Sequence, residues 1–179
     1  MNIYSGTKDV SSMSAPTMKQ CDIESTDIPE LKALRSILDK LATPTNPYYQ
    51  ILLLQLRGAL RISEVLQITY MQVLDSQSIY VKCLKGSNDK VVHVPELTEQ
   101  LKKWKTYKIK PFSQISRFSV YRFYKRLGIS FPKKKGKLSN VTHAVRNIVI
   151  KSMRSNNYTD EQIAQIIGHR SVKSTGYYG

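Results

Sequence analysis

The chain has 179 residues, of which 41% are hydrophobic, enough for one domain with a sizeable core. It carries 28 Lys and Arg against 13 Asp and Glu, a formal charge of +15, and no acidic residue lies between Leu101 and Thr159. A half of one sign is the footprint of a polyanion partner. The absence of a signal pattern, of an apolar run near ~20 residues and of a single Lys-rich amphipathic helix argues against secretion and membrane binding.

The predicted elements begin after residue 28. Residues 1–28 are polar and rich in Ser and Thr, a tail or linker remnant. Pro29 opens a helix with Asp27 as its cap and an apolar stripe of Leu31, Leu34, Ile37, Leu38 and Leu41, which Pro44 and Pro47 break. Tyr48–Leu56 is apolar on nearly every side and reads as a central buried helix ended by Gly58. Arg61–Ile68 starts another, with Ile62, Val65, Leu66 and Ile68 inward. Two β-rich runs, 78–84 and 91–94, flank the turn residues Lys85–Asp89 and predict an antiparallel hairpin with Lys85 at its tip. Helices follow at Glu96–Lys105 and Ser116–Leu127, then a basic loop at 132–137. The last helices are Thr142–Arg154 and Asp160–Ile167, the latter capped by Thr159 or Asp160.

Cys21 and Cys83 have no neighbouring His or Cys, so neither a zinc spacing nor a disulfide framework is present, and a reducing, intracellular compartment is expected. The candidate chemistry lies elsewhere. Arg61, Lys85, His143, Arg146, His169 and Tyr178 occur in that order, and Tyr177 stands beside the last. Cleavage of a phosphodiester by a side chain needs a nucleophile, fixed cations for the non-bridging oxygens and a proton donor for the leaving oxygen. Arginine suits the clamp because its planar fork makes two parallel hydrogen bonds to phosphate. Glu64, one turn after Arg61, reads as a residue that orients an Arg or His. Lys82 and Lys90 compete with Lys85 by position, and His93 faces a strand without a role. The basic half lacks the clustered carboxylates of metal-dependent nucleases, and no P-loop occurs.

These boxes resemble those of the tyrosine recombinases, the phage-integrase family. Arg61-Ile-Ser-Glu64 resembles the first arginine box, Lys85-Gly86 the β-hairpin lysine, His143-Ala-Val-Arg146 the His-x-x-Arg box, and Ile167-Gly168-His169 the Leu-Gly-His box; Tyr178, nine residues after His169, stands where the family has its nucleophile. The resemblance implies a mainly α fold with a small antiparallel sheet, spanning residues 29–179 as a catalytic domain. It implies site-specific recombination through a 3′-phosphotyrosyl intermediate, with no cofactor, no metal and no ATP. Arg61 and Arg146 would clamp the phosphate, Lys85 would protonate the leaving 5′-oxygen, His143 would assist proton transfer at Tyr178, and His169 would hydrogen-bond the phosphate. The implied partner is double-stranded DNA, on which a monomer in solution would assemble as a tetrameric synapse.

Departures are visible. Gly58-Ala-Leu-Arg61 moves the family's glycine one place earlier, so the turn before Arg61 should differ, and Asn147 stands where many relatives have His. Neither an N-terminal core-binding domain nor a C-terminal docking helix has room, which implies a catalytic fragment or a short member. A type IB topoisomerase-like or telomere-resolving enzyme, or a non-catalytic DNA-binding relative, would share these boxes.

Overall fold

Eight helices and one two-stranded antiparallel sheet make up residues 27–41, 43–129 and 141–176, the parts that the computed structural model describes. The tail, Cys21, the basic loop at 132–137, Tyr177 and Tyr178 lie outside the described residues. Helix α1 spans Pro29–Leu41, α2 Pro47–Gly58, α3 Ile62–Leu66, α4 Thr98–Thr106, α5 Arg117–Arg126, α6 Val141–Ser155, α7 Asp160–Ile167 and α8 Val172–Gly176. Strands β1 (Ser78–Val81) and β2 (Lys90–His93) pair with Ser78 opposite His93 and Val81 opposite Lys90.

Helix α2 is the centre, as its apolar circumference predicts. Ile51, Leu52, Leu53, Leu54 and Leu56 are all buried, and the helix packs against α1, α3, α6 and β2. Pro47 opens this helix rather than only breaking the one before it. Its missing N–H falls where no intrahelical bond is made, and the Asn46 side chain accepts from Tyr48 N at 2.9 Å. Asp27 does not cap α1. Its carboxylate pairs with Arg35 Nε at 2.7 Å, and the Ile28 carbonyl accepts the N–H groups of Leu31 and Lys32.

Gln55 breaks the apolar face of α2, yet it is fully buried and fully used. Its amide donates to Leu60 O at 3.0 Å and to Thr142 O at 3.4 Å, while its oxygen accepts from Tyr124 OH at 2.6 Å. One polar side chain therefore ties α2 to α5, to the start of α6 and to the turn ahead of Arg61. A buried amide with satisfied partners specifies an arrangement that apolar packing alone leaves loose.

The first strand is shorter than its apolar run, and the second keeps its length but starts one residue earlier, at Lys90. Beyond Val81 the backbone turns away from the ladder because carboxylates take its donors. Asp89 accepts from Cys83 N at 2.9 Å and Tyr80 OH at 2.8 Å, and Glu64 accepts from Leu84 N at 3.1 Å. Two elements were not anticipated, a 3-10 turn at Tyr70–Gln72 and the five-residue α8.

Gly58 remains helical, and Ala59 takes the left-handed conformation with φ 48°. Gly58 is needed where it stands, since a Cβ there would come within 2.8 Å of Leu60 Cγ and Val92 Cγ2. An alanine in the left-handed region costs roughly 1–2 kcal/mol. Ala59→Gly should therefore raise stability by about 0.5–1 kcal/mol after the added freedom of the unfolded chain is deducted. Urea denaturation checks this, and an unchanged or lower midpoint would contradict it.

Candidate active site

Arg61 occupies the N-cap of α3, directly after the left-handed Ala59 and buried Leu60. Its backbone N–H donates to Glu64 Oε2 at 2.8 Å, and its Nη1 donates to Glu64 Oε1 at 2.8 Å and to Ser87 Oγ at 3.1 Å. Glu64 is fully buried and so performs the orienting task read from its position. Burial would raise its pKa, but the hydrogen bonds from Arg61 and Leu84 outweigh that and lower it, so the carboxylate stays charged.

Lys85 sits at the exposed tip of the loop between the strands. The Leu84–Ser87 turn closes through Ser87 N to Leu84 O at 3.3 Å, with left-handed Lys85 (φ 56°) and Gly86 (φ 73°) at its centre. That is type I′ geometry, which ordinarily selects Asn or Gly at the first central position. A lysine there is held against local preference. Two contacts fix the loop: Ser87 receives Arg61, and Asn88 N donates to Gly168 O at 2.7 Å. Gly168 is required twice, by its φ of 78° and because a Cβ would lie 2.7 Å from Asn88 O. Lys90, the nearby competitor, is buried and donates to Ile167 O at 3.3 Å.

Arg146 is 1% exposed. Its Nη1 donates to Ala59 O at 2.6 Å and its Nη2 to His169 Nε2 at 3.0 Å. An arginine can only donate, so Nε2 accepts, and the imidazole proton resides on Nδ1. That nitrogen lies 3.0 Å from Thr175 Oγ1, to which it donates. His169 is thus engaged at both ring nitrogens, between Arg146 and α8.

His143 lies half-buried in the first turn of α6. Its pKa is pushed down to about 4, first by burial and then by the charges of Arg117, Lys85, Arg146 and Arg61. His169 is pushed to about 4 by burial and by Arg146, Arg61 and Lys90, with Glu64 opposing. These shared fields bring Arg61, Lys85, His143, Arg146 and His169 into one site assembled from the N-terminus of α3, the hairpin, α6 and the turn after α7. Both imidazoles are neutral near pH 7, and His169 already spends its acceptor nitrogen on Arg146.

Residues outside the six candidates complete the arrangement. Arg117, at the start of α5, donates to Thr142 Oγ1 at 3.5 Å and carries positive charge to the edge of His143. Phe118, Tyr121, Arg122, Lys125 and Arg126 line a cleft along α5, where Arg122 lies 5.1 Å over the ring of Phe118. Gln55, Ser87, Asn88 and Thr175 carry no local motif, and the contacts that give each its place are made after folding. Among the described residues, no His, Cys, Asp and Glu side chains gather in a group that could hold a metal ion, and no helix is long and apolar enough to cross a membrane.

Comparison with known proteins gives two matches of use. The sequence profile of the phage integrase family matches residues 27–179. The structure resembles that of XerA recombinase with a TM-score of 0.58 at 18% identity, covering 98% of this chain and 72% of that one. No curated protein matches this chain significantly in sequence.

Stability should depend on pH through the two imidazoles. Their folded pKa values lie below the ordinary 6.5, so above pH 6.5 their contribution is fully present, and it is lost as pH falls toward 4. Urea midpoints at pH 7.5 and 5.0 should separate clearly for the unaltered chain. The gap should narrow in the His143→Gln/His169→Gln double variant, and an equal gap in both would contradict the assignment.

Proposed function

This chain belongs to the phage integrase family, the tyrosine recombinases, and from that premise we propose that it cuts and rejoins duplex DNA at specific sites by transesterification. The observation that carries the proposal is the convergence of two arginines, a loop lysine and two neutral imidazoles from four separate segments. Tyr178 supplies the nucleophile. Its phenol oxygen bonds to phosphorus as the 5′-oxygen departs; the phenol proton passes to His143, and Lys85 protonates the leaving oxygen. A 3′-phosphotyrosyl ester and a free 5′-hydroxyl result, and a 5′-hydroxyl from a second duplex reverses the step.

Several features support these roles. A phenol has an unperturbed pKa of about 10, so it needs an acceptor and nearby cations to attack near neutral pH. His143, neutral and surrounded by Arg61, Lys85, Arg117 and Arg146, offers both. Arg61 and Arg146 are anchored before any phosphate arrives, so little reorganisation remains when charge builds on the non-bridging oxygens. Lys85 stands on an exposed tip, from which a flexible ammonium can reach a leaving group. His169, which the resemblance assigned to the phosphate, spends its Nε2 on Arg146 here, and we give it the task of holding that guanidinium. The basic face of α5 continues the positive field along the duplex. Exchange between two duplexes requires more than one copy, so the working form is an assembly on DNA inside the cell.

Arg61→Ala and Arg146→Ala should each slow strand cleavage of a nicked duplex by about 10²–10³, or ~3–4 kcal/mol of transition-state stabilisation. Lys85→Ala should also be slow, but a substrate with a 5′-bridging sulfur should restore its rate, because a thiolate leaves without a proton donor. Failure of that rescue, with Arg61→Ala slow on both substrates, would remove Lys85 from the acid role.

A further inference from the structure

Thr175 is fully buried on a five-residue helix at the edge of the domain, three residues before Tyr178 in sequence. Both of its polar ends are engaged. Its hydroxyl meets His169 Nδ1 at 3.0 Å, and its carbonyl accepts from Arg154 Nη2 at 2.7 Å, a guanidinium that also binds Asp160 at 3.1 Å. The backbone grip by Arg154 would hold α8 whatever side chain stood at 175, so the hydroxyl answers a different need.

That need is set by Arg146. Its Nη2 requires a lone pair on His169 Nε2, which places the imidazole proton on Nδ1, where a hydrogen-bond acceptor must stand. The Thr175 oxygen is that acceptor. With the proton on Nε2 instead, two donors would confront each other in a site that excludes water. We propose that Thr175 is a positioning residue: through the tautomer of His169 it reports the seating of the tyrosine-bearing segment to the Arg146 clamp. The clamp is then fully aligned only while α8 is docked. This rests on the proposed strand cleavage for its consequence, but not for the hydrogen-bond chain itself.

The two parts can be tested apart. Long-range proton–nitrogen spectra of the 15N-histidine-labelled chain at pH 7.5 should show His169 protonated on Nδ1, and Thr175→Val should move a measurable fraction of the proton to Nε2. An Nε2–H form in the unaltered chain, or spectra that Thr175→Val leaves unchanged, would overturn the proposal. If Thr175→Val does not fold, the tautomer of the unaltered chain still decides. On a nicked duplex, Thr175→Val should slow covalent adduct formation roughly 10- to 100-fold, and Thr175→Ser should restore it. In the His169→Gln background, Thr175→Val should add no further loss. Equal losses in the Val and Ser variants, or additive losses with His169→Gln, would overturn it. An absence of adduct in the unaltered chain would refute strand cleavage while the tautomer still decides the coupling.

Discussion

A guanidinium held almost entirely out of water is costly unless every nearby group is arranged for it. Arg146 is that group, and much of the fold around it can be understood as its support. Ala59 offers its carbonyl because the end of α2 turns left-handed, and Gln55 holds the next carbonyl, that of Leu60. His169 offers Nε2 because α7 ends on a left-handed Gly168 and α8 folds back to meet Nδ1. The cation is thereby fixed in direction as well as place, which is what a phosphate clamp requires.

Arg61 is oriented by a different device. Glu64 is one fully buried carboxylate among several cations, and it binds Arg61 twice while accepting from the backbone of the Lys85 loop. Cation, carboxylate and loop form one unit. Burial, helped by the positive charges of the neighbouring arginines and lysines, keeps both histidines neutral near pH 7. Under the proposed reaction, two anchored arginines, an exposed loop lysine and neutral imidazoles would meet the negative charge that builds on phosphate and a phenol that gives up its proton. The match to the phage integrase family and the likeness to XerA recombinase agree with the helical fold and small sheet.

Much of this was legible in the chain because it is local. The buried centre of α2, the hairpin with Lys85 in its turn, and the cap at Thr159 follow from apolar pattern and turn chemistry within a few residues. The one-turn spacing of Glu64 from Arg61 marks it as an orienting residue, and its carboxylate binds that guanidinium. The rest depends on contacts between distant segments. Gln55 meets Thr142 across 87 positions and Arg61 meets Ser87 across 26, and no local pattern marks either pair. Asp27 reads as a cap until Arg35 competes for its carboxylate, and the first strand looks longer until Asp89 and Glu64 take the donors beyond Val81. Helix α8 is too short to carry a period.

The account turns on whether this cationic centre serves a tyrosine, and on which one. The most direct measurement is to trap the chain on a nicked duplex, digest it and map the DNA-bearing peptide by mass. The account predicts a 3′-phosphoryl link on Tyr178, retained in Tyr177→Phe, lost in Tyr178→Phe, with a free 5′-hydroxyl on the released strand. DNA mapped to Tyr177, or an adduct that persists in Tyr178→Phe, would contradict it.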